Sequence, residues 1–241
     1  MLPYISIHNE MSLDGRFDWM ADDQGLYYET IYRFHVDAML SGINTMLEAQ
    51  INMGNETYKR EYTPAAKEFS DARQLLVVVD SRGRIKDWSV LRNQPYWRDV
   101  VVLCSNATPR GHLENLRAQS VDTIIAGDHH VNLHKCLATL RAEYGVSKLR
   151  VDSGGILNGV LLRAGLVNEV VVILNPCLTG GNSARTFYVA DDLVSRDGII
   201  SLELKKVEEL RDGFLWLQYL VIPTQNITEN SPDMTGVGSD R

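Results

Sequence analysis

The chain has 241 residues, of which 44% are hydrophobic and 23% are charged, a composition typical of a globular protein. Its formal net charge of −7 argues against binding to nucleic-acid backbones, which requires a basic surface. No apolar run approaches the roughly 18 residues of a membrane span, and the first residues lack the features of a secretory signal. Three widely separated cysteines are typical of a reducing compartment. We therefore expect a soluble cytoplasmic protein with neither nucleic-acid nor membrane partners.

Short β-rich runs alternate with stretches of helical periodicity along the chain. In chain order, strands are predicted at residues 4–8, 38–42, 75–80, 100–105, 122–127, 148–152 and 169–175, and helices at 24–36, from 44 onward, at 134–144 and at 156–165. Two further β-rich runs flank Asp212-Gly213, a dipeptide that predicts a hairpin turn. This alternation predicts an α/β fold, with a mostly parallel central sheet, helices on both faces and a C-terminal antiparallel hairpin.

No internal repeat and no linker rich in Pro, Gly or Ser divides the chain, so a single domain is predicted over residues 1–223. Residues 224–241 are polar with few apolar exceptions, and we expect them to form a flexible tail. The other irregular stretch, residues 51–70, is interpreted as a long loop or a lid.

The most informative run is VDSGGILNG, residues 151–159, where a predicted parallel strand ends and a helix begins. Ligands bind at this edge of open α/β sheets. Two consecutive glycines let a phosphate approach the backbone, and the free N–H groups of the following helical turn complement its charge. A tight turn that needs glycine only for its backbone angles is the alternative, and these residues alone leave both open. The run is neither a Rossmann fingerprint nor a Walker A loop.

Three other polar segments are of interest. SGINT, residues 41–45, is on its own an ordinary helix cap. DSRGR, residues 80–84, combines a carboxylate, a hydroxyl and two guanidinium groups, which suits either a sugar phosphate or a solvated turn. SLDGR, residues 12–16, reads by itself as a polar turn. The histidine-rich stretch 129–134 lacks the spacing of a zinc site, so no metal is expected.

Taken together, these segments resemble the reductase family of riboflavin biosynthesis, whose members have a dihydrofolate-reductase-like fold. The family pattern S-L-D-G-K/R is similar to residues 12–16, G-x-x-T-x-L to 42–47 and V-V-D-S-x-x-R-(I/V) to 78–85. The longest match covers residues 151–181. This stretch is similar to the family pattern V-E-G-G-G-x-L-N-x-x-L-x-x-x-L-V-D-E followed by A-P-x-x-x-G-G. The resemblance continues in order from about Tyr4 to Ile222.

The resemblance implies an enzyme that uses NADPH to reduce the ring-opened sugar imine of a ribosylamino pyrimidine 5′-phosphate to a ribitylamino group. It also suggests a homodimer formed partly through sheet edges and the terminal hairpin. Main-chain amides at the glycine bends near residues 42 and 154 would face the cofactor diphosphate. By position, the cofactor-binding residues are Gly42, Ile43, Asn44, Thr45, Ser81, Arg82, Ser153, Gly154, Gly155, Ile156 and Leu157, with Ser81 and Arg82 near the 2′-phosphate. The substrate-binding residues are Ser12, Asp14, Gly15 and Arg16, and the catalytic carboxylates are Asp80 and Asp152.

The chain departs from the family pattern in ways that bear on the substrate. The riboflavin enzymes typically continue after G-x-x-T-x-L with D-D-P-x-L-T-x-R, whose arginine helps hold the substrate phosphate, whereas residues 48–60 read EAQINMGNETYKR. Lys59 or Arg60 is a candidate substitute. Asp152 replaces the glutamate of V-E-G-G and is one methylene shorter. Two alternatives therefore stay open: a pterin, folate or other small imine or carbonyl as substrate, and a non-catalytic nucleotide-binding protein.

Overall fold

One mixed β-sheet runs through the computed structural model, which describes residues 1–20, 23–53, 72–183 and 185–223. In chain order its strands are β1 (Tyr4–Ser12), β2 (Ala38–Gly42), β3 (Gln74–Val79), β4 (Trp97–Cys104), β5 (Asp122–Ile125), β6 (Lys148–Val151), β7 (Glu169–Asn175), β8 (Leu202–Glu209) and β9 (Leu215–Val221). The helices are α1 (Gln24–Ile31), α2 (Ile43–Met53), α3 (Ser89–Arg92), α4 (Arg110–Ala118), α5 (Leu133–Glu143) and α6 (Gly155–Arg163). The predicted tail, Lys59, Arg60 and most of the 51–70 segment lie outside the described residues.

The strand order β5-β4-β3-β2-β6-β1-β7-β9-β8 places the first strand of the chain in the interior of the sheet. Neighbouring strands from β5 to β7 are all parallel, whereas β9 is antiparallel to both β7 and β8. Because parallel strands end at the same edge of a sheet, the carboxyl ends of β2, β6 and β1 lie side by side. The predicted sheet and its C-terminal hairpin are confirmed.

Helices cover both faces of the sheet, as predicted. Along β3, Leu75 and Val77 pack in the same cluster as the buried residues of α5 and α6. Leu76 and Val78, which point to the other face, pack with buried residues of α2, α3 and α4. A smaller cluster joins Leu26 of α1 to residues of β7 and β9. The unbroken apolar composition of the central strands follows from burial on both faces.

The turn between β8 and β9 has the backbone conformation that its sequence predicts. Asp212 and Gly213 have φ angles of 60° and 80°, in the left-handed region that glycine adopts freely and aspartate tolerates. Arg211 in this turn forms ion pairs with Asp23, at 2.8 Å, and with Glu29, at 3.0 Å. The hairpin turn is therefore fastened to the first turn of α1, where Asp23 caps the helix by accepting from the amide of Leu26 at 2.9 Å.

Three helices differ from the prediction. Helix α1 ends at Ile31 rather than near residue 36, because the residues beyond it make tertiary contacts instead: Phe34 packs edge-on against the His8 ring at 4.7 Å. Helix α3 was not predicted, because its four residues are too few to show a helical period. Helix α4 was not predicted either: it buries only His112 and Leu116, so its apolar residues are too sparse to give such a period.

Candidate functional site

A cleft of about 910 Å³ lies at the carboxyl ends of β2, β6 and β1. This volume falls in the upper part of the roughly 300–1,000 Å³ range of small-molecule and cofactor sites. The predicted site residues that line it are Gly42, Ile43, Asn44, Thr45, Asp152, Ser153, Gly154, Gly155, Ile156 and Leu157. The two glycine bends thus open into one cleft.

The bends that follow β2 and β6 are joined directly by hydrogen bonds. The Ser41 hydroxyl donates to the Asp152 carbonyl oxygen at 2.7 Å, and the Gly42 amide donates to the Ser153 hydroxyl oxygen at 3.0 Å. A Cβ on Gly42 would lie 2.8 Å from that same oxygen, so a larger residue at this position would displace the Ser153 hydroxyl and break this hydrogen bond. The Gly42 amide is consequently engaged with Ser153 and is not a free donor toward the cleft. This corrects the expectation that the amide at residue 42 faces the cofactor diphosphate.

The three glycines of α6 and its N-cap serve different purposes. A Cβ on Gly155 would overlap the carbonyl oxygen of Thr186, and one on Gly159 would overlap that of Val189. These two glycines therefore allow another segment to cross α6 in backbone contact. Gly154 has an ordinary φ of −79°, and a Cβ there would meet nothing within 4 Å. Neither packing nor backbone strain requires glycine at position 154, which leaves space for a ligand.

We call residues 42–45 and 153–157 the backbone wall of the cleft, since it consists of the first turns of α2 and α6. The first amides of a helix have no acceptors within the helix, and the helix dipole places partial positive charge at that end. Two such ends beside each other form an environment that favours an anionic group.

A second set of residues that lines the same cleft, which we call the side-chain wall, consists of Phe17, Tyr27, Tyr28, Asp152 and Arg185. The Tyr27 hydroxyl donates to Asp152 Oδ2 at 2.7 Å, and both side chains are half-buried. Burial raises the pKa of the Asp152 carboxyl, while the Arg150 charge and the Tyr27 hydrogen bond oppose that increase.

A buried polar layer lies beneath Asp152. Arg150 is only 4% exposed, although it sits on β6 between apolar neighbours that face the opposite side of the sheet. Burial, followed by the Arg150 charge, lowers the pKa of the His8 imidazole to about 3, so His8 is neutral at physiological pH. Sequence reasoning missed Tyr27 and Arg150. An arginine within a strand expected to be buried was the available signal for the latter.

Asp80 lies in a different environment from Asp152. Its side chain is buried, with 1% of the residue exposed, and its oxygens accept from the amides of Arg84 at 2.9 Å and Ile85 at 3.0 Å. The carboxylate thus closes the turn after β3 and does not line the cleft, so we do not carry the predicted catalytic role of Asp80 forward.

Ser81 and Arg82 lie on the turn that Asp80 closes. Arg82 is exposed, and neither residue lines the cleft described above. The turn is linked to the backbone wall by Arg84, whose guanidinium donates to the Asn44 side chain at the start of α2. The turn therefore adjoins the end of the cleft, and sequence reasoning missed Arg84 as the connecting residue.

The loop of residues 12–16 is closed by its own polar groups. Asp14 accepts from the Ser12 hydroxyl at 2.6 Å and from the amides of Thr179 and Gly180 at 3.2 and 2.7 Å. These hydrogen bonds, that of Ser12 above all, lower the pKa of the Asp14 carboxyl to about 2. Gly15 has a φ of 76°, and the Arg16 guanidinium donates to the Ser183 carbonyl oxygen at 2.6 Å. The four predicted residues shape this loop, which adjoins the cleft through Phe17.

The described part of residues 176–201, which we call the crossing segment, passes over α6 and reaches the cleft. Arg185 in this segment pairs with Asp18 and with Glu48 of α2, the latter through Nη1 and Oε1 at 2.5 Å. Glu48 is the residue at which the sequence leaves the family pattern. The departure thus coincides with an ion pair between α2 and the crossing segment.

Buried amide side chains fix the crossing segment to the sheet. Asn158 Nδ2 donates to Asn9 Oδ1 and to the Phe187 carbonyl oxygen, both at 2.9 Å. Asn9 Nδ2 in turn donates to the Ser153 carbonyl oxygen at 2.9 Å. These contacts tie together β1, α6 and the crossing segment.

Two features are absent from the part of the chain that the structure describes. Within those ranges, His, Cys, Asp and Glu side chains form no group suited to holding a metal ion. No helix there has the length and apolar character needed to cross a bilayer.

An open α/β sheet with a cleft at the carboxyl ends of its central strands is the arrangement of proteins that bind nucleotides and related ligands. The sequence model of the family described as RibD C-terminal domain matches residues 3–216. The 2,5-diamino-6-ribosylamino-4(3H)-pyrimidinone 5′-phosphate reductase of Methanothermobacter thermautotrophicus is 30% identical over 228 residues, which cover 92% of this chain and 99% of that protein. A protein of the same name from Archaeoglobus fulgidus is 24% identical over 89% of this chain and 96% of its own length.

A solved structure agrees with this assignment at the level of the fold. Acinetobacter baumannii RibD, form 2, has a TM-score of 0.67 and 22% identity to this chain. The match covers 92% of this chain and 58% of that one, so the chain spans little more than half of that RibD. The chain belongs to the RibD C-terminal domain family, which confirms the resemblance and the dihydrofolate-reductase-like fold.

Proposed function

We propose that the chain is an NADPH-dependent reductase of the riboflavin-pathway type, which converts the ribosylamino group of a pyrimidine 5′-phosphate into a ribitylamino group. The observation that carries this proposal is the meeting of two helix N-termini with the half-buried carboxyl of Asp152 in one cleft. The names of the Methanothermobacter and Archaeoglobus relatives support the substrate class. The formal charge of −7 and the three free cysteines suit a cytoplasmic enzyme of small molecules.

The described residues fit a dinucleotide cofactor. The backbone wall, with open space at Gly154, suits the diphosphate. Ser81 and Arg82 would hold the 2′-phosphate at the adjoining turn, together with Arg84, because guanidinium groups bind such dianions well. When bound, the reduced nicotinamide supplies a hydride to the acceptor carbon.

The side-chain wall would position the substrate. Phe17, Tyr27 and Tyr28 line this side of the cleft and offer aromatic surface to a pyrimidine ring. Asp152 lies among them, where its carboxylate form would stabilise an iminium-like acceptor and its acid form would supply a proton to a neutral imine. The half-buried setting limits water around that group and strengthens its electrostatic effect.

A second candidate substrate is favoured by the surroundings of Arg185. Of the described residues that line the cleft, Arg185 is the only lysine or arginine, and the carboxylates of Asp18 and Glu48 already neutralise it. A substrate phosphate would have to compete with both. A pterin, folate or other small imine or carbonyl without a phosphate at that position is therefore the alternative.

The deciding experiment follows NADPH absorbance with each substrate class. We expect oxidation with 2,5-diamino-6-ribosylamino-4(3H)-pyrimidinone 5′-phosphate or its deaminated uracil counterpart. Oxidation with dihydrofolate or a dihydropterin alone would favour the second candidate. If NADPH is not oxidised with any of these substrates and does not stabilise the chain against heat, the reductase proposal is wrong and a non-catalytic role remains.

We further propose that two copies associate through the terminal hairpin. Leu202, Leu204 and Val207 of the edge strand β8 are 44%, 54% and 55% exposed, and their register partners on β9 place all three on one face. An exposed apolar face on an edge strand is typical of an interface. Replacing Leu204 with glutamate should convert a dimer into a monomer in sedimentation, and a wild-type monomer would contradict the assignment.

A further inference from the structure

The hydroxyl of Tyr27 is held against Asp152 by its place in the fold. Tyr27 lies on α1, and its hydroxyl donates to Asp152 Oδ2 at 2.7 Å across the start of the cleft. The capping residue Asp23 and its ion pair with Arg211 fix the N-terminal end of α1. The side chain of Tyr27 is therefore held against the Asp152 carboxyl by a helix that is anchored at its first turn.

The two oxygens of the Asp152 carboxyl differ in their partners. Oδ2 accepts from Tyr27, whereas no group among the described residues donates to Oδ1. Asp152 lines the cleft and is half-buried. Oδ1 is consequently the oxygen available to a molecule bound in the cleft.

Building on the proposed function, we propose that Tyr27 is a positioning residue: its hydroxyl holds Asp152 by Oδ2, so that Oδ1 delivers a proton to the substrate nitrogen. Reduction of a carbon–nitrogen double bond adds a hydride at carbon and a proton at nitrogen, and the π electron pair becomes the new N–H bond. The hydride comes with the reduced cofactor. The proton comes from Asp152, which recovers one from solvent afterwards.

The electrostatic setting is consistent with this role. Burial raises the pKa of the Asp152 carboxyl, so the acid form persists to a higher pH than for an exposed aspartate. The pKa of Tyr27 is raised well above its ordinary value of 10, chiefly by burial, so Tyr27 stays protonated as a donor. Helix α1 brings Tyr27 and Tyr28 to this carboxyl, and β6 brings Arg150, with His8 of β1 beside it. The other charged residues that line the cleft are Glu10, Glu48 and Arg185.

The primary test compares Tyr27→Phe with Tyr32→Phe in the full chain. Because an ionised carboxylate loses a donor in Tyr27→Phe, the pKa of Asp152 should rise further. An activity that needs the acid form of Asp152 falls as pH rises through the pKa of that carboxyl. In a plot of kcat against pH, the falling limb should therefore move to higher pH in Tyr27→Phe. We expect kcat to drop by about tenfold, with KM and NADPH affinity within about twofold. Tyr32→Phe, at the end of the same helix, 78% exposed and outside the cleft lining, should change neither the pH limb nor kcat.

A second test asks whether the two residues act together. Asp152→Asn should abolish the falling limb, and adding Tyr27→Phe to it should cost no further activity. Multiplicative losses in the double variant, or a lower kcat in Tyr27→Phe with an unmoved limb, would overturn the proposal and leave Tyr27 a structural residue.

A third readout does not depend on turnover. Carbon-13 NMR titration of labelled aspartate carboxyls, with Asp152→Asn to assign the signal, should show a higher Asp152 pKa in Tyr27→Phe than in the wild type. An unchanged pKa would overturn the role of Tyr27 even in an active enzyme. If the wild type oxidises no reduced nicotinamide with any pyrimidine phosphate, the proposed function and the proton delivery both fail, and this titration decides the Tyr27–Asp152 coupling separately.

Discussion

The two walls of the cleft are built in different ways. The backbone wall consists of two helix starts that directly follow neighbouring strands, so each half is one continuous run of sequence. The side-chain wall gathers Phe17, Tyr27, Tyr28, Asp152 and Arg185 from four separate segments. The anion recognition proposed for the main-chain amides would therefore depend on local sequence, whereas the shape and proton chemistry proposed for the substrate side would depend on the tertiary fold.

The largest effect is expected from a comparison of two carboxylates. Asp152→Asn should reduce kcat by about a hundredfold or more, the usual scale for loss of general acid–base catalysis. Asp80→Asn should leave kcat of the folded enzyme within about threefold but destabilise the protein by about 1–3 kcal/mol, because buried amides lose a charged acceptor. Steady-state kinetics and urea unfolding on both variants measure this. A large kcat loss in Asp80→Asn would return that residue to the catalytic site.

The glycines of α6 offer a second comparison. Gly159→Ala should destabilise the fold by about 1–3 kcal/mol through overlap with the Val189 carbonyl. Gly154→Ala should cost less than about 1 kcal/mol at this helix cap, yet weaken NADPH binding because the methyl group enters the open space. Urea unfolding and NADPH titration separate the two effects. If both variants lost NADPH affinity equally and were equally stable, the assignment of Gly159 to packing and Gly154 to ligand space would be wrong.

The buried polar layer under the side-chain wall should appear in the pH dependence of stability. The folded pKa of His8, about 3, is below its unfolded value of roughly 6.5. The unfolded chain therefore binds a proton that the folded one does not, and stability falls as pH decreases from about 6.5 toward 3, by up to about 1.4 kcal/mol per pH unit.

Urea unfolding of His8→Gln and of the exposed-histidine control His134→Gln at several pH values tests this assignment. Only His8→Gln should reduce the slope, by about one proton. The same slope in both variants would show that His8 is not the titrating group.

The smallest effect is expected at the end of the backbone wall. Arg82→Ala should weaken NADPH binding by about tenfold and leave NADH binding unchanged, because only NADPH carries the 2′-phosphate. The control is Arg110→Ala, since the Arg110 side chain is 91% exposed on α4 and pairs within its own helix with Glu114. Fluorescence titration with both dinucleotides gives the affinities. Parallel losses for the two would remove Arg82 from phosphate recognition.

The same contrast explains how far the sequence could be read. The parallel strands, the Asp212-Gly213 hairpin and the helix start at residues 153–157 follow from local patterns of apolar residues and glycine. Gly154 and Gly155 are adjacent and alike in sequence, but only the crossing segment distinguishes their purposes. The Tyr27–Asp152 pair joins residues 125 positions apart, and no local period or spacing encodes such a contact. The burial of the Asp80 carboxylate within its own turn could not be predicted either, because it depends on the surrounding fold.

Arg211 gives the hairpin a consequence that extends beyond the edge of the sheet. By clasping Asp23 and Glu29, it makes the turn before β9 and helix α1 one mechanical unit, and α1 carries Tyr27. If copies associate through β8, their contact and the residue that positions Asp152 share this unit. Specific activity should then vary with enzyme concentration around the dissociation constant of the pair.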